Sequence, residues 1–198
     1  MVTICLLRHG ETAFNADGNR YCGRTDVELT AKGLSQARRM SNLLNDFEFD
    51  AIYSSPLKRA KMTAEIASGV PDRVVTDARL IEIDFGNWEG KCSEEFMEED
   101  PLAWQDWLRD PYASRAGRVG EEGKEVLRRL HSFYQEIALK HAGKTVLVVG
   151  HNGVNRFFLS DGLGMPLKNY RQIVQDNSSL TLLTLLQDGV VRLLKLNA

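Results

Sequence analysis

The chain has 198 residues, 43% of them hydrophobic, and a formal net charge of −2, which supplies a substantial core of the kind usually organised as one domain. The near-neutral balance offers no electrostatic reason to bind nucleic acid or an anionic membrane, and the most apolar late stretch, 180–196, is broken by Gln187-Asp188-Gly189, a hairpin turn signal and not part of a membrane span. The three cysteines, Cys5, Cys22 and Cys92, are scattered and form no disulfide framework, the usage expected of reduced thiols in a cytoplasmic protein.

The opening residues Met1 to Leu7 lack the basic start and small-residue cleavage site of a signal peptide and read as a first strand ending near Leu7. Thr30 caps a helix in which Leu34, Ala37, Met40, Leu43 and Leu44 recur at helical spacing. Asp50 to Tyr53 forms a strand that feeds a helix begun by Pro56, proline being suited to the first helical position. Val74 and Val75 make a short strand. In 91–118, Trp104, Trp107 and Leu108 stand at helical spacing, which favours packing over ligand contact, with Phe96 and Tyr112 among Glu94, Glu95, Glu98, Glu99 and Asp100. A long helix over about Glu122 to Lys140 carries Val126, Leu130, Phe133 and Ile137 on one face. Strand Thr145 to Val149, a helix through Phe157 and Leu159, and a terminal antiparallel pair complete the chain. Alternating strands and helices predict a doubly wound α/β fold, and the lack of repeats, low-complexity tracts or a linker predicts one domain over 1–198.

Two strands end in the same unusual way. Cys5-Leu6-Leu7 runs into Arg8-His9-Gly10-Glu11-Thr12, and Val146-Leu147-Val148-Val149 runs into Gly150-His151-Asn152-Gly153. The carboxyl ends of parallel strands open onto the ligand crevice of an α/β sheet, and flanking glycines let backbone approach a ligand closely. One histidine after a strand most often caps or packs; two in matching contexts point to chemistry. No Cys-x-x-Cys, His-Glu-x-x-His or His-x-His spacing accompanies them, so the chemistry is read as free of metal and of any other cofactor. Arg59, near the start of the Pro56 helix, arrives at the same sheet edge, where free helix amides favour an anion.

Five blocks, taken in order, carry a resemblance. They are Leu7-Arg8-His9-Gly10-Glu11-Thr12 with Asn15; Asp26 with Leu29-Thr30 and Gly33; Tyr53-Ser54-Ser55-Pro56-Leu57-Lys58-Arg59-Ala60; Leu80 and Glu82 with Phe85-Gly86 and Trp88-Glu89-Gly90; and Gly150-His151-Asn152-Gly153. Together they resemble the histidine phosphatase superfamily, in the small phosphatases of its phosphoglycerate mutase-like branch, over nearly the whole chain. The resemblance implies a three-layer α/β/α fold on a mixed, mostly parallel sheet. It implies that a neutral His9 attacks phosphorus to form a phosphohistidine that water later hydrolyses. Arg8, Arg59 and His151 would surround the transferring group, where stabilisation of charge on the equatorial oxygens does most of the work and the planar fork of arginine suits two oxygens at once. Asn15 would add a neutral donor. Glu82 would protonate the leaving alcohol and then take a proton from water, which calls for a carboxyl whose pKa is raised; Leu80, Ile81, Ile83 and Phe85 are expected as its apolar walls. Tyr21-Cys22-Gly23 lies where the family places a substrate-facing loop and, with Asn15 and Asn152, completes the expected substrate contacts, Cys22 being a bystander thiol. Residues 91–118 would cap the pocket and set substrate choice, with Lys91, Arg109, Arg115 and Arg118 as surface cations by default.

Departures from the family narrow the reading. The mutases carry a longer insertion with a lysine and an arginine pair for the second acidic group of the substrate, where this chain has isolated Arg109, so hydrolysis is favoured over phosphoryl return. Val119-Gly120-Glu121-Glu122 stands where phosphatase relatives often show Gly-Gly-Glu-Ser, removing a helix-capping hydroxyl. The expected activity is a phosphomonoesterase whose partner is a small-molecule phosphate ester, with a ribazole phosphate, phosphoserine, and sugar or glycerate phosphates as candidates. A mutase-type phosphoryl transfer and a non-catalytic phosphate-recognising module are the alternatives.

Overall fold

A computed structural model describes residues 1–198. Its strands are β1 (Val2–Arg8), β2 (Ala51–Ser54), β3 (Val74–Thr76), β4 (Thr145–Gly150), β5 (Leu180–Leu185) and β6 (Val191–Lys195). They form one sheet in the order β3-β2-β4-β1-β5-β6, parallel from β3 to β1 and antiparallel at β5 and β6. The mixed α/β sheet and the terminal hairpin agree with the expectation. The helices are α1 (Ala13–Ala16), α2 (Ala31–Leu43), α3 (Lys58–Ser68), α4 (Ser93–Glu99), α5 (Pro101–Arg109), α6 (Gly123–Lys140) and α7 (Asn152–Gly162). None is long and apolar enough to cross a membrane.

Side chains alternate across a strand, and β1 is apolar from Ile4 to Leu7 because both of its faces are covered. Cys5 and Leu7 pack with Met40, Leu44, Ala60, Ala64 and Ala67 of the α2–α3 layer. Val2, Ile4 and Leu6 pack into the larger core of the α6–α7 layer, with Val126, Leu130, Phe133, Ile137 and Phe157. The connections leaving β1 and β4 thus lie on opposite faces of the sheet, and a crevice opens between those two neighbouring strands at their carboxyl ends.

Local details adjust the sequence reading. Thr30 Oγ1 accepts the Gly33 N–H at 3.0 Å, as a cap should. Ala37, Met40 and Leu44 make the buried stripe of that helix, while Leu43 falls beside the stripe and is 56% exposed. Pro56 does not begin α3: the first helical residue is Lys58, whose N–H is capped across the chain by Asp26 Oδ1 at 2.7 Å. At α6 the absent serine is offset from the other side of the cap, since the Glu125 carboxylate accepts the Glu122 N–H at 2.9 Å.

The 91–118 segment folds as α4, α5 and a 3-10 turn at Ala116–Arg118. Phe96 and Trp107 are fully buried and Trp104 nearly so. Phe96 stacks on Trp88 with ring centroids 5.0 Å apart, and Trp107 Nε1 donates to Tyr170 Oη at 3.0 Å. Phe96, Trp104 and Trp107 are packing residues, as the spacing of the two tryptophans predicts, whereas Leu108 and Tyr112 are exposed.

Candidate active site

The parallel register sets Arg8 opposite Gly150, so the next residues, His9 and His151, leave the sheet side by side, with ring centroids 5.1 Å apart. His9 is 4% exposed, and its Nδ1 lies 2.7 Å from the Gly10 carbonyl oxygen. A carbonyl only accepts, so Nδ1 carries the ring proton and Nε2 keeps its lone pair. Burial first, then the charges of Arg59 and Arg8, hold His9 well below the ordinary imidazole range. The ring is therefore neutral at pH 7, fixed in one tautomer, and able to act as a nucleophile.

Arg59 is the second residue of α3 and completely buried. Its Nε donates to His151 Nδ1 at 3.2 Å, which leaves the His151 proton on Nε2, 2.7 Å from Ser55 Oγ. Its terminal nitrogens donate to the carbonyls of Thr25 at 2.8 Å, Cys22 at 3.1 Å and Gly23 at 2.8 Å. The Glu89 carboxylate holds the same loop by its amides, accepting from Gly23 N at 2.9 Å and Thr25 N at 3.0 Å. One guanidinium thus ties the second histidine, the helix and the 22–25 loop into a single rigid backing for His9.

Glu82 stands at the same site. It is 4% exposed. Its Oε1 accepts from Ile83 N at 2.9 Å and Val154 N at 3.0 Å, and its Oε2 accepts from Gly153 N at 2.9 Å. Gly153 and Val154 belong to the first turn of α7, whose amides have no partner within the helix. Backbone donors are added to the expected apolar walls: Ile83 Cδ1 meets the same face of Gly153 as Glu82 Oε1, Phe85 lines the cleft, and Leu80 lies in the core. Gly153 is required here, because a β-carbon would stand 2.6 Å from Glu82 Oε1.

At this site lies a cleft of about 340 Å³. Arg8, His9, Asn15, Tyr21, Cys22, Glu82 and Asn152 all line it, whereas Arg59, His151 and Gly23 stand behind it. Arg8 donates from Nη1 to the Gln175 carbonyl at 2.7 Å and keeps a buried Nε without a partner. Asn15 Oδ1 accepts from Thr12 N at 3.1 Å and Asn177 Nδ2 at 3.2 Å, which orients its amide. Gly23 is a structural member of the loop, since a β-carbon there would meet the Ile83 carbonyl oxygen at 2.3 Å. Burial pushes the Cys22 thiol up to about 11, against the pull of Arg59, so it stays protonated. Of 91–118, only Ser93 and Glu94 reach the cleft; Lys91 pairs with Glu99, Arg109 with Asp106, Arg115 with Glu122 and Arg118 with Asp100. No three His, Cys, Asp or Glu side chains cluster as metal ligands.

The family model for the histidine phosphatase superfamily (branch 1) matches residues 4–198. This chain belongs to the histidine phosphatase superfamily. Phosphoserine phosphatase 1 of Hydrogenobacter thermophilus is 36% identical to it over 198 residues, covering 100% of this chain and 92% of that protein. The adenosylcobalamin/alpha-ribazole phosphatase of Escherichia coli is 32% identical over 166 residues, covering 82% and 80% respectively. Among solved structures, phosphoserine phosphatase from Entamoeba histolytica in complex with 3-phosphoglyceric acid is similar with a TM-score of 0.89 at 28% identity, covering 100% of this chain and 98% of that one.

The cleft of this histidine phosphatase also holds Arg20, Arg156, Tyr170 and Arg171, none of which the motifs single out. Arg156 had a signal, since it lies four residues after Asn152 and such pairs share a helix face. Tyr170 and Arg171 come from the 3-10 stretch Leu167–Gln172, remote from every motif, and nothing local announces them. Arg20 follows α1 and is paired with Asp17 at 2.7 Å and Glu95 at 2.8 Å.

Proposed function

We propose that this chain, a phosphatase of small phosphate esters, transfers the phosphoryl group to His9 and then to water. The observation that carries the reading is the neutral His9 ring, its Nδ1–H bound to Gly10 and its Nε2 free, in one cleft with Arg8 and Glu82. In the first step His9 Nε2 attacks phosphorus, the P–O bond to the alcohol breaks, and Glu82 gives its proton to the departing oxygen. In the second step water attacks the phosphohistidine as the P–N bond breaks. Glu82 takes one proton of that water, the hydroxyl stays on phosphorus, and both side chains return to their starting states.

Arg8, Asn15 and Asn152 supply donors on the open side, where charge develops on the equatorial oxygens. Arg59 and His151 contribute from behind. The Arg59 charge disfavours protonation of His9, and its bond to His151 fixes the tautomer of the neighbouring ring. Charge stabilisation in this scheme is assigned to arginines and amides, which need no bound metal.

Phosphate release from a panel of phosphomonoesters in excess EDTA, with His9→Ala beside the native chain, tests the scheme. Release by the native protein, an acid-labile phosphoryl label on it, and loss of both in a folded His9→Ala variant are expected. Release that needs added metal, or that survives in the variant, overturns it. Phosphoryl exchange dependent on a bisphosphate primer, with little net release, would assign mutase chemistry instead.

A further inference from the structure

Beyond the groups placed at phosphorus, the cleft carries a surplus of positive charge. Arg156, on the first turns of α7, is half-buried, joins no ion pair, and has a buried Nε without a hydrogen-bond partner. Arg171 also joins no ion pair. It is held in place by donating from Nη1 to Tyr21 Oη at 2.8 Å and by lying over the Trp104 ring, with Cζ 4.9 Å from the centroid. Its remaining guanidinium nitrogens are left for another group, and Trp104 and Tyr21 restrict the directions in which they can point. Several arginines elsewhere in the chain, Arg79 and Arg118 among them, are matched by acids at close range, as is Arg20 on the cleft itself. Glu94, the other carboxylate on the cleft besides Glu82, is exposed and accepts from Ser93 Oγ.

A half-buried guanidinium without a counter-ion or hydrogen-bond acceptor, such as that of Arg156, is costly unless a ligand supplies them; Arg171, exposed on the same cleft and anchored by Tyr21 Oη, likewise has no counter-ion. The phosphate is already served by Arg8, and a cleft of about 340 Å³ admits only a small molecule. A second anion must therefore belong to the same ester. The planar fork of arginine matches a carboxylate in particular. We propose that Arg156 and Arg171 form a carboxylate subsite, so that the substrate is a phosphate ester of a small hydroxy acid; this rests on the hydrolysis scheme above and narrows its substrate.

The test compares esters that differ in one group. For the native enzyme, kcat/KM is measured for O-phosphoserine against O-phosphoethanolamine, and for 3-phosphoglycerate against glycerol 3-phosphate, with p-nitrophenyl phosphate in the same series. The carboxylated member of at least one pair is expected to be favoured by about 10- to 100-fold, the scale of one hydrogen bond to a charged group. Arg156→Gln and Arg171→Gln are each expected to reduce that ratio by about tenfold or more, mainly through KM for the carboxylated ester. Ratios near one in the native enzyme, or a ratio that survives in both variants, would overturn the subsite. Should Arg171→Gln lose its fold with the contact to Trp104, the native ratios and Arg156→Gln decide the matter. Hydrolysis of p-nitrophenyl phosphate without carboxylate preference sinks the subsite alone, whereas no hydrolysis of any ester sinks the phosphohistidine scheme itself.

Discussion

Replacing Gly153 by alanine would separate the acid from the rest of the machinery. The backbone at this position is not in the left-handed region, and a helical glycine changed to alanine ordinarily stabilises by about 0.5–1 kcal/mol. Here the new methyl would stand 2.6 Å from Glu82 Oε1 and 2.8 Å from Ile83 Cδ1, where ordinary contact begins at 3.4 Å. The carboxylate must retreat by about 0.8 Å, the difference between 3.4 and 2.6. That retreat stretches its bonds to Val154 N, now 3.0 Å, and Gly153 N, now 2.9 Å, beyond useful length. A buried amide left without its acceptor costs about 1–3 kcal/mol, so losing one outweighs the helical gain and the variant should be less stable by about 1–2 kcal/mol. A misplacement of this size costs on the order of a hundredfold in rate. The loss should fall on alkyl phosphates, whose leaving oxygen needs a proton, and much less on p-nitrophenyl phosphate. Steady-state kinetics on both ester classes, with thermal unfolding alongside, would check this. Equal losses on the two classes, or native kinetics with raised stability, would refute the assignment of Glu82 as the acid and of Gly153 as the residue that admits it.

Three other outcomes follow from the site and its supports. Glu82→Gln should slow alkyl phosphates by about 10²–10⁴ and aryl phosphates far less, the usual range for a lost general acid; a Brønsted plot over leaving groups reads the difference. Both His9 and His151 are held well below the ordinary imidazole value, chiefly by burial. As pH falls below about 6.5 the unfolded chain therefore takes up protons that the folded chain refuses. Stability should be fully present above that pH and decline below it by up to about 1.4 kcal/mol per pH unit for each ring. Urea midpoints between pH 7 and pH 5 would measure the slope, which His9→Ala should make shallower; a flat profile would count against buried neutral rings. Asp26→Ala removes the acceptor for the first amide of α3 and should cost about 1 kcal/mol, read as a fall of about 2–4 °C in Tm.

Much of the catalytic geometry was legible in one dimension because it depends on local signals. An apolar run ending in Arg8-His9-Gly10 and another ending in Gly150-His151 announce two strand ends, and parallel pairing in register then brings the histidines together without further instruction. The Thr30 cap, the apolar face of α6 and the terminal hairpin are likewise written in neighbouring residues. Glu82 is announced by its motif and Ile83 does wall it, as the neighbouring sequence suggests, but the polar half of its surroundings is not written nearby. Two of the three amides that bind it come from α7, at 71 and 72 positions' separation. Arg59 was found too, but its placement behind the cleft depends on a loop folding back to offer three carbonyls, which no local pattern encodes. Lys91, Arg109, Arg115 and Arg118 carry the same charge as Arg156 and Arg171. Which cations face the cleft, and which of those are left without an acid, is decided by where the fold sets each side chain, and a linear sequence does not contain those distances.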